Sequence, residues 1–318
     1  MEKRVHPDLR KMFSVMPAQS DSFNEENIYE LRKNLDAMII EMNKSIPKND
    51  LLLINERLIL GPEGNPEVKV RLYEPKKKDK LLPGVLYLHG GGYIMGSPEI
   101  YENQCLGIIS EMECVIISVD YRLAPEHPFP APLEDCYAAL KWFSENAEEL
   151  GVDSARIAVV GGSSGGGLTA AVSLLARDRK GPSIAFQMPL YPMIDDRIMT
   201  PSSNEIIDGR VWNKRSCQKA WKMYLGSNKG DVSPYAAPAR AADLSGLPPT
   251  YTCVGDLDPF RDETMDYAAR LRQAGVPTEF HLYPGCFHGF DGIVPTAEIS
   301  QRARKEYITA LKLALQNN

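Results

Sequence analysis

From residue 85 to the C-terminus, short apolar runs alternate with longer amphipathic ones, and this rhythm constrains the fold more than any other feature. Residues 85–88, 115–119, 157–160, 185–190, 250–254 and 278–283 read as strands; 101–112, 135–150, 164–178, 262–274 and 297–315 read as helices. Strands this short and apolar need cover on both faces, and the intervening helices provide it. The pattern predicts an α/β architecture: a mainly parallel, doubly wound central sheet flanked by helices. With 318 residues the core is large enough to stand without disulfide or metal.

Upstream, 22–44 reads as an amphipathic helix, with Ser22 and Glu25 as a capping box. Ile28, Leu31, Leu35, Met38, Ile39 and Met42 share one face, and Pro47 closes the segment. Residues 51–60 and 67–73 read as strands joined by a Gly-Pro-Glu-Gly-Asn-Pro turn. Lys76, Lys77, Lys78 and Lys80 are expected at a solvated loop tip. Residues 193–233 break the rhythm. They carry Met199, Trp212, Cys217, Trp221 and Met223 on a helix with flanking loops and add no strand. A cap built from segment 1–48 and this insertion is expected over a catalytic domain spanning 49–318.

Charge and cysteine usage exclude several classes. The formal net charge is -6 with cations spread along the chain, so nucleic acid is not an expected partner. The six cysteines form no C-x-x-C pair and no Cys/His cluster with metal spacing, which predicts reduced core thiols and no bound metal. The leading MEKRVHPDLRKMF has no apolar core, and no run of 18 apolar residues occurs anywhere. No membrane span and a cytoplasmic location are expected.

The chemistry-bearing segment is Ile157-Ala-Val-Val-Gly-Gly-Ser-Ser-Gly-Gly-Gly167. A strand running straight into small residues and a helix suits a nucleophile elbow, where a serine sits on a strained turn and its neighbours must be small. The run fits G-x-S-x-G twice, around Ser163 and around Ser164. Spacing does not choose between them, and a tight turn packing helix on sheet is the purely structural alternative. Upstream, His89-Gly90-Gly91-Gly92 follows a strand directly. Three serial glycines leave backbone N–H groups unshielded, as an oxyanion hole requires.

A triad in this order needs an acid and then a histidine downstream. His281 alternates within a strand; His288 lies in the loop Pro284-Gly-Cys-Phe-His-Gly-Phe290, where an imidazole can reach a serine. After strand 250–254, Gly255-Asp-Leu-Asp-Pro-Phe-Arg-Asp262 offers three aspartates. Asp262 is expected to cap the next helix. Asp256 and Asp258 are not separated by this reasoning.

These motifs resemble those of the hormone-sensitive-lipase-like carboxylesterases, a group with the α/β-hydrolase fold. The likeness runs from about residue 60 to the C-terminus through His89-Gly-Gly-Gly92, Asp120-Tyr-Arg-Leu-Ala-Pro-Glu-His-Pro-Phe-Pro-Ala131, the elbow, Asp258-Pro-Phe-Arg-Asp262 and His288-Gly-Phe290. It implies Ser163 as nucleophile, Asp258 as acid and His288 as base. It also implies that the amides of Gly91, Gly92 and Ser164 serve as oxyanion donors, beneath a helical cap. Two positions depart from the usual Gly-Asp-Ser-Ala-Gly-Gly elbow: Gly162 replaces Asp or Thr, and Ser164 replaces Ala.

The resemblance thus implies a serine esterase acting on short-to-medium acyl esters through an acyl-enzyme, without metal or organic cofactor. Met12, Phe13, Met16, Trp212 and Trp221 are candidate pocket walls, with cap-core packing as the alternative. An amidase or deacetylase of the same fold and a non-catalytic ligand binder are the rival functions. His288 in its motif argues against the binder. A homodimer through an exposed sheet edge is a further expectation from the resemblance.

Overall fold

The structure is a computed structural model that describes residues 1–18, 23–43, 50–227 and 230–316. Eight strands form one sheet in the order β1-β2-β4-β3-β5-β6-β7-β8. They are β1 (Leu52–Ile59), β2 (Val68–Pro75), β3 (Leu82–Leu88), β4 (Val115–Asp120), β5 (Val152–Gly162), β6 (Phe186–Leu190), β7 (Thr250–Leu257) and β8 (Thr278–Phe287). Pairings from β4 to β8 are parallel, whereas β1–β2 and β2–β4 are antiparallel. The sheet is therefore mainly parallel, and the alternation in the sequence predicts this correctly.

Ten helices accompany the sheet among the described residues: α1 (Pro7–Val15), α2 (Ile28–Asn43), α3 (Glu102–Glu111), α4 (Ala131–Glu145), α5 (Ser164–Asp178), α6 (Pro201–Glu205), α7 (Lys214–Leu225), α8 (Arg261–Gln273), α9 (Phe290–Ile293) and α10 (Glu298–Gln316). Side chains on successive strand positions point to opposite faces, and two core layers follow. Leu86, Leu88, Ile117, Val119, Ile157 and Val159 pack with Leu140 and Phe143 of α4 and Leu168 and Val172 of α5. Val85, Tyr87, Ile116, Ala158 and Val160 pack on the other face with Ile108 of α3 and Tyr307 and Leu311 of α10. In α10 the buried residues Ile299, Ala303, Tyr307, Leu311 and Leu315 recur every fourth position, the helical stripe that seals a sheet face.

The N-terminal segment meets residues of the 193–233 interval. The Arg210 guanidinium lies 4.0 Å over the Phe13 ring, Trp212 stacks on Phe23 at 5.8 Å, and Lys222 pairs with Glu25 at 2.9 Å. That interval contains two helices, α6 and α7, rather than one, and Met199 lies between strand and helix, largely exposed.

Several local expectations need correction. The helix expected over 22–44 begins at Ile28. Asn24 organises its start, accepting the amides of Glu26 at 2.9 Å and Asn27 at 3.0 Å, because an Asx side chain competes well for the free amides before a helix. Ser22, Pro47 and the side chain of Met42 lie outside the described residues. Met38 is 52% exposed, so the apolar face is covered mainly at the Ile28 end. Lys78 is not a free surface charge: its Nζ donates to the Leu150 carbonyl at 2.6 Å and pairs with Glu74. Asp262 does not cap α8. It accepts the Ser202 amide at 2.7 Å while Ser202 Oγ accepts the Asp262 amide at 3.1 Å, so its carboxylate serves the first turn of α6 instead.

Candidate active site

Strand β5 runs into α5 through Ser163, whose backbone has φ 59° and ψ −123°. A non-glycine residue in this region is strained by about 1–3 kcal/mol unless its surroundings hold it. Three hydrogen bonds do so: the Ser163 amide donates to Leu190 O at 3.0 Å, and its carbonyl accepts the amides of Gly167 at 3.0 Å and Met193 at 2.9 Å. The flanking glycines have little choice. A Cβ at Gly161 would lie 2.4 Å from Gly165 O, and one at Gly165 would lie 2.0 Å from Leu88 O. The turn is that tight because helix and sheet are pressed together there.

His288 leaves the end of β8 and points its imidazole between two partners. Its Nε2 lies 2.9 Å from Ser163 Oγ, and its Nδ1 lies 2.7 Å from Asp258 Oδ2. The second oxygen of Asp258 accepts the Phe260 amide at 2.9 Å. Asp258 is fully buried and His288 is 8% exposed, so little water competes for these contacts. Asp256 stands apart, 3.6 Å from both Arg4 and Arg261 and partly exposed. Ser164 is the first residue of α5 and buried. His281 sits on the edge strand, with Nε2 2.7 Å from Glu279 Oε1.

The glycine loop after β3 adjoins the elbow: a Cβ on Gly90 would lie 3.4 Å from Ser163 Cβ and 2.9 Å from Gly162 O. Gly91 has φ 123° and Gly92 φ 65°, values that L side chains rarely adopt. The Gly91 carbonyl accepts from Ile94 at 3.2 Å and Met95 at 3.0 Å, closing the loop. Ser164, at the start of a helix, has an amide without an intrahelical acceptor. Together these amides and the helix dipole can stabilise negative charge near Ser163.

Side chains to which the sequence reading gave no role support this loop. His89 is buried and stacks on Tyr121 with ring centroids 4.1 Å apart, while Tyr121 Oη donates to His89 O at 2.7 Å. Burial lowers the His89 pKa and keeps that imidazole neutral. Arg122 grips buried Asp135 through Nε at 2.9 Å and Nη2 at 2.7 Å. Tyr121 of the Asp120–Ala131 motif thus supports the glycine loop through His89, while Arg122 ties the segment to α4 through Asp135. Phe260 and Tyr191 meet the His288 ring edge-on at 5.0 and 5.3 Å. The available signal for Tyr191 was its position just beyond the carboxyl end of a parallel strand, where sites in such sheets form.

The expected wall residues divide. Trp212 belongs to the site: a Cβ on Gly92 would meet its Cη2 at 2.6 Å, and its ring lies 6.4 Å from that of His288. Trp221 is buried against Tyr93, 5.6 Å between centroids. Phe13 is buried against Phe287 at 5.6 Å, Met16 packs on the same cluster, and Met12 is 41% exposed. Core packing accounts for Trp221, Phe13 and Met16.

The chain is similar to several known proteins. Residues 85–292 match the family described as having the alpha/beta hydrolase fold. The chain is 37% identical to carboxylesterase NlhH of Mycobacterium tuberculosis, over 83% of each chain. It is 34% identical to an arylesterase of Saccharolobus solfataricus, over 91% of this chain and 92% of the relative. A solved structure described as bacterial heroin esterase superposes with a TM-score of 0.93 at 40% identity, covering 99% of both chains. No helix among the described residues is long and apolar enough to cross a membrane.

Proposed function

The chain belongs to the α/β-hydrolase family, in its hormone-sensitive-lipase-like group, and from this we propose that it is a serine carboxylesterase with Ser163, His288 and Asp258 as its catalytic triad. The observation that carries the reading is the unbroken contact from Asp258 through His288 to Ser163, with distances of 2.7 and 2.9 Å. His288 Nε2 takes the proton of Ser163 Oγ as that oxygen attacks the ester carbonyl carbon. Asp258 holds the Nδ1–H tautomer and stabilises the imidazolium. The amides of Gly91, Gly92 and Ser164 stabilise the tetrahedral oxyanion. His288 then protonates the departing alcohol, and water, activated by the same imidazole, releases the acid from the acyl-enzyme.

We assign short-to-medium acyl chains to the site. The support is the Trp212 ring over the glycine loop, which limits room beside the reacting carbonyl. We further propose that segment 1–48 and residues 193–233 form a cap, supported by the contacts of Phe13, Phe23 and Glu25 with Arg210, Trp212 and Lys222. A cytoplasmic location, supported by six buried free cysteines, and a homodimer through an exposed sheet edge belong to the same proposal.

Hydrolysis of p-nitrophenyl esters from acetate to palmitate by wild type, Ser163→Ala and Ser164→Ala tests the reading. Cleavage of short chains, abolished only in Ser163→Ala, is the expected result. Loss in Ser164→Ala alone would overturn the triad. Failure of folded wild type on every ester, with cleavage of an acyl anilide, would make it an amidase.

A further inference from the structure

We propose that Tyr191 is a positioning residue for the His288 imidazole, seated in the space that the missing side chain of Gly162 leaves open. The inference rests on the esterase reading of the triad. Gly162 is the residue between the two fixed points of the elbow, Gly161 and Ser163, and its φ is not in the left-handed region, so its backbone would accept a side chain. Its surroundings leave little room, so the neighbour would have to shift. A Cβ there would lie 3.0 Å from Tyr191 Cε2, 3.1 Å from Oη and 3.3 Å from Cζ. The departure of Gly162 from the family's elbow pattern therefore has a physical counterpart: an aromatic ring fills the volume.

That ring is held from its backbone. Tyr191 has φ 34°, an unfavourable value for a side-chain-bearing residue, and its amide donates to Cys253 O at 2.7 Å, tying it between β6 and β7. Its hydroxyl neighbours the carboxyl of Asp291, in the first turn of α9 and three residues beyond His288, and the two groups interact electrostatically. Asp291 is buried and is also reached by Tyr307 Oη at 3.4 Å. Desolvation raises the Asp291 carboxyl pKa, and the Arg304 charge and the neighbouring tyrosine hydroxyls oppose that rise.

Held there, the ring bears on the imidazole, with centroids 5.3 Å apart and planes at 81°. His288 must keep Nδ1 on Asp258 and Nε2 on Ser163 at once, and rotation of the imidazole breaks both. Phe260 stands edge-on to it as well, at 5.0 Å and 89°. Tyr191 is the neighbour whose location depends on residue 162, so the elbow and the base are coupled through it.

The test is a double-mutant cycle of Gly162→Ala and Tyr191→Ala. It is read by kcat and KM on p-nitrophenyl acetate and by the low-field proton resonance of His288 Nδ1–H. Gly162→Ala is expected to lower kcat about tenfold or more with KM little changed, and to shift or broaden the resonance. Tyr191→Ala should do the same, and the double variant should lose no more than Tyr191→Ala alone. Losses that multiply, or a resonance unmoved in Gly162→Ala, overturn the proposal. Should Tyr191→Ala not fold, Tyr191→Phe takes its place: it keeps the ring but removes the hydroxyl that adjoins Gly162 and Asp291, and an unmoved resonance again overturns the idea. A wild type inactive on every ester would sink the esterase reading, while the resonance would still decide the positioning.

Discussion

The Asp258 carboxylate meets the His288 imidazole at 2.7 Å with one oxygen, while the other accepts the Phe260 amide at 2.9 Å. The acid is thus fixed by its own loop before it orients the base. A backbone donor holding a fully buried carboxylate leaves it one direction in which to act.

Asp258→Asn keeps an acceptor for the Phe260 amide, so the fold should survive. The amide side chain can present N–H to Nδ1 and favour the wrong imidazole tautomer. We expect kcat to fall by roughly 10³–10⁴-fold with little change in melting temperature. Steady-state kinetics beside a thermal melt check this; retained activity would remove Asp258 from the triad.

Gly91→Ala meets two obstacles at once, a φ of 123° and a carbonyl oxygen of Met95 only 2.0 Å from the new Cβ. The loop must shift, and the amides facing Ser163 shift with it. A fall of about 10²–10³-fold in kcat with KM nearly constant is expected, the signature of lost transition-state stabilisation. An unchanged kcat would show that this loop does not hold the oxyanion.

Trp212→Ala removes the ring above Gly92. The ratio of kcat/KM for octanoate over acetate should rise by about tenfold or more, since each added methylene gains apolar contact where the ring had excluded it. The p-nitrophenyl series reads this directly. An unaltered chain-length profile would mean that Trp212 does not bound the acyl site.

Glu263 is buried, accepts the Ile194 amide at 3.2 Å, and has its carboxyl pKa pushed well above the usual value by desolvation. Folding therefore favours its protonated form. The resulting stability is complete below the unfolded value, near 4.5, and is lost as pH rises toward the raised folded value. Glu263→Gln keeps the acceptor and cannot ionise. The stability of the variant relative to wild type should grow with pH above about 4.5, by up to roughly 1.4 kcal/mol per pH unit. Denaturant melts from pH 4 to 8 test this, and a constant difference would count against a strained carboxyl.

Much of the architecture was legible along the chain because it repeats locally. A parallel strand buried on both faces must be apolar throughout, as Val115–Asp120 is, and the helix sealing it must carry an apolar stripe, as α10 does. The elbow and glycine loop were legible for a different reason: backbone that passes this close to backbone tolerates only glycine, as Gly161 and Gly165 show. Boundaries were less visible. The start of α2 depended on the Asn24 side chain taking up the amides before it, and the role of Asp262 depended on a turn 60 residues away.

Chain chemistry alone thus established a mainly parallel, helix-covered sheet and the three motifs whose residues converge on one edge of it. Tertiary structure decided which serine, which aspartate and which tryptophan meet there. His288 is 125 residues from Ser163 and 30 from Asp258, and such contacts depend on where strand ends lie in the sheet, which local spacing does not encode. Tyr191 shows the limit most clearly. Its place beside the imidazole follows from the absence of an atom at Gly162, and the space left by a missing side chain acquires meaning only once another residue is folded into it.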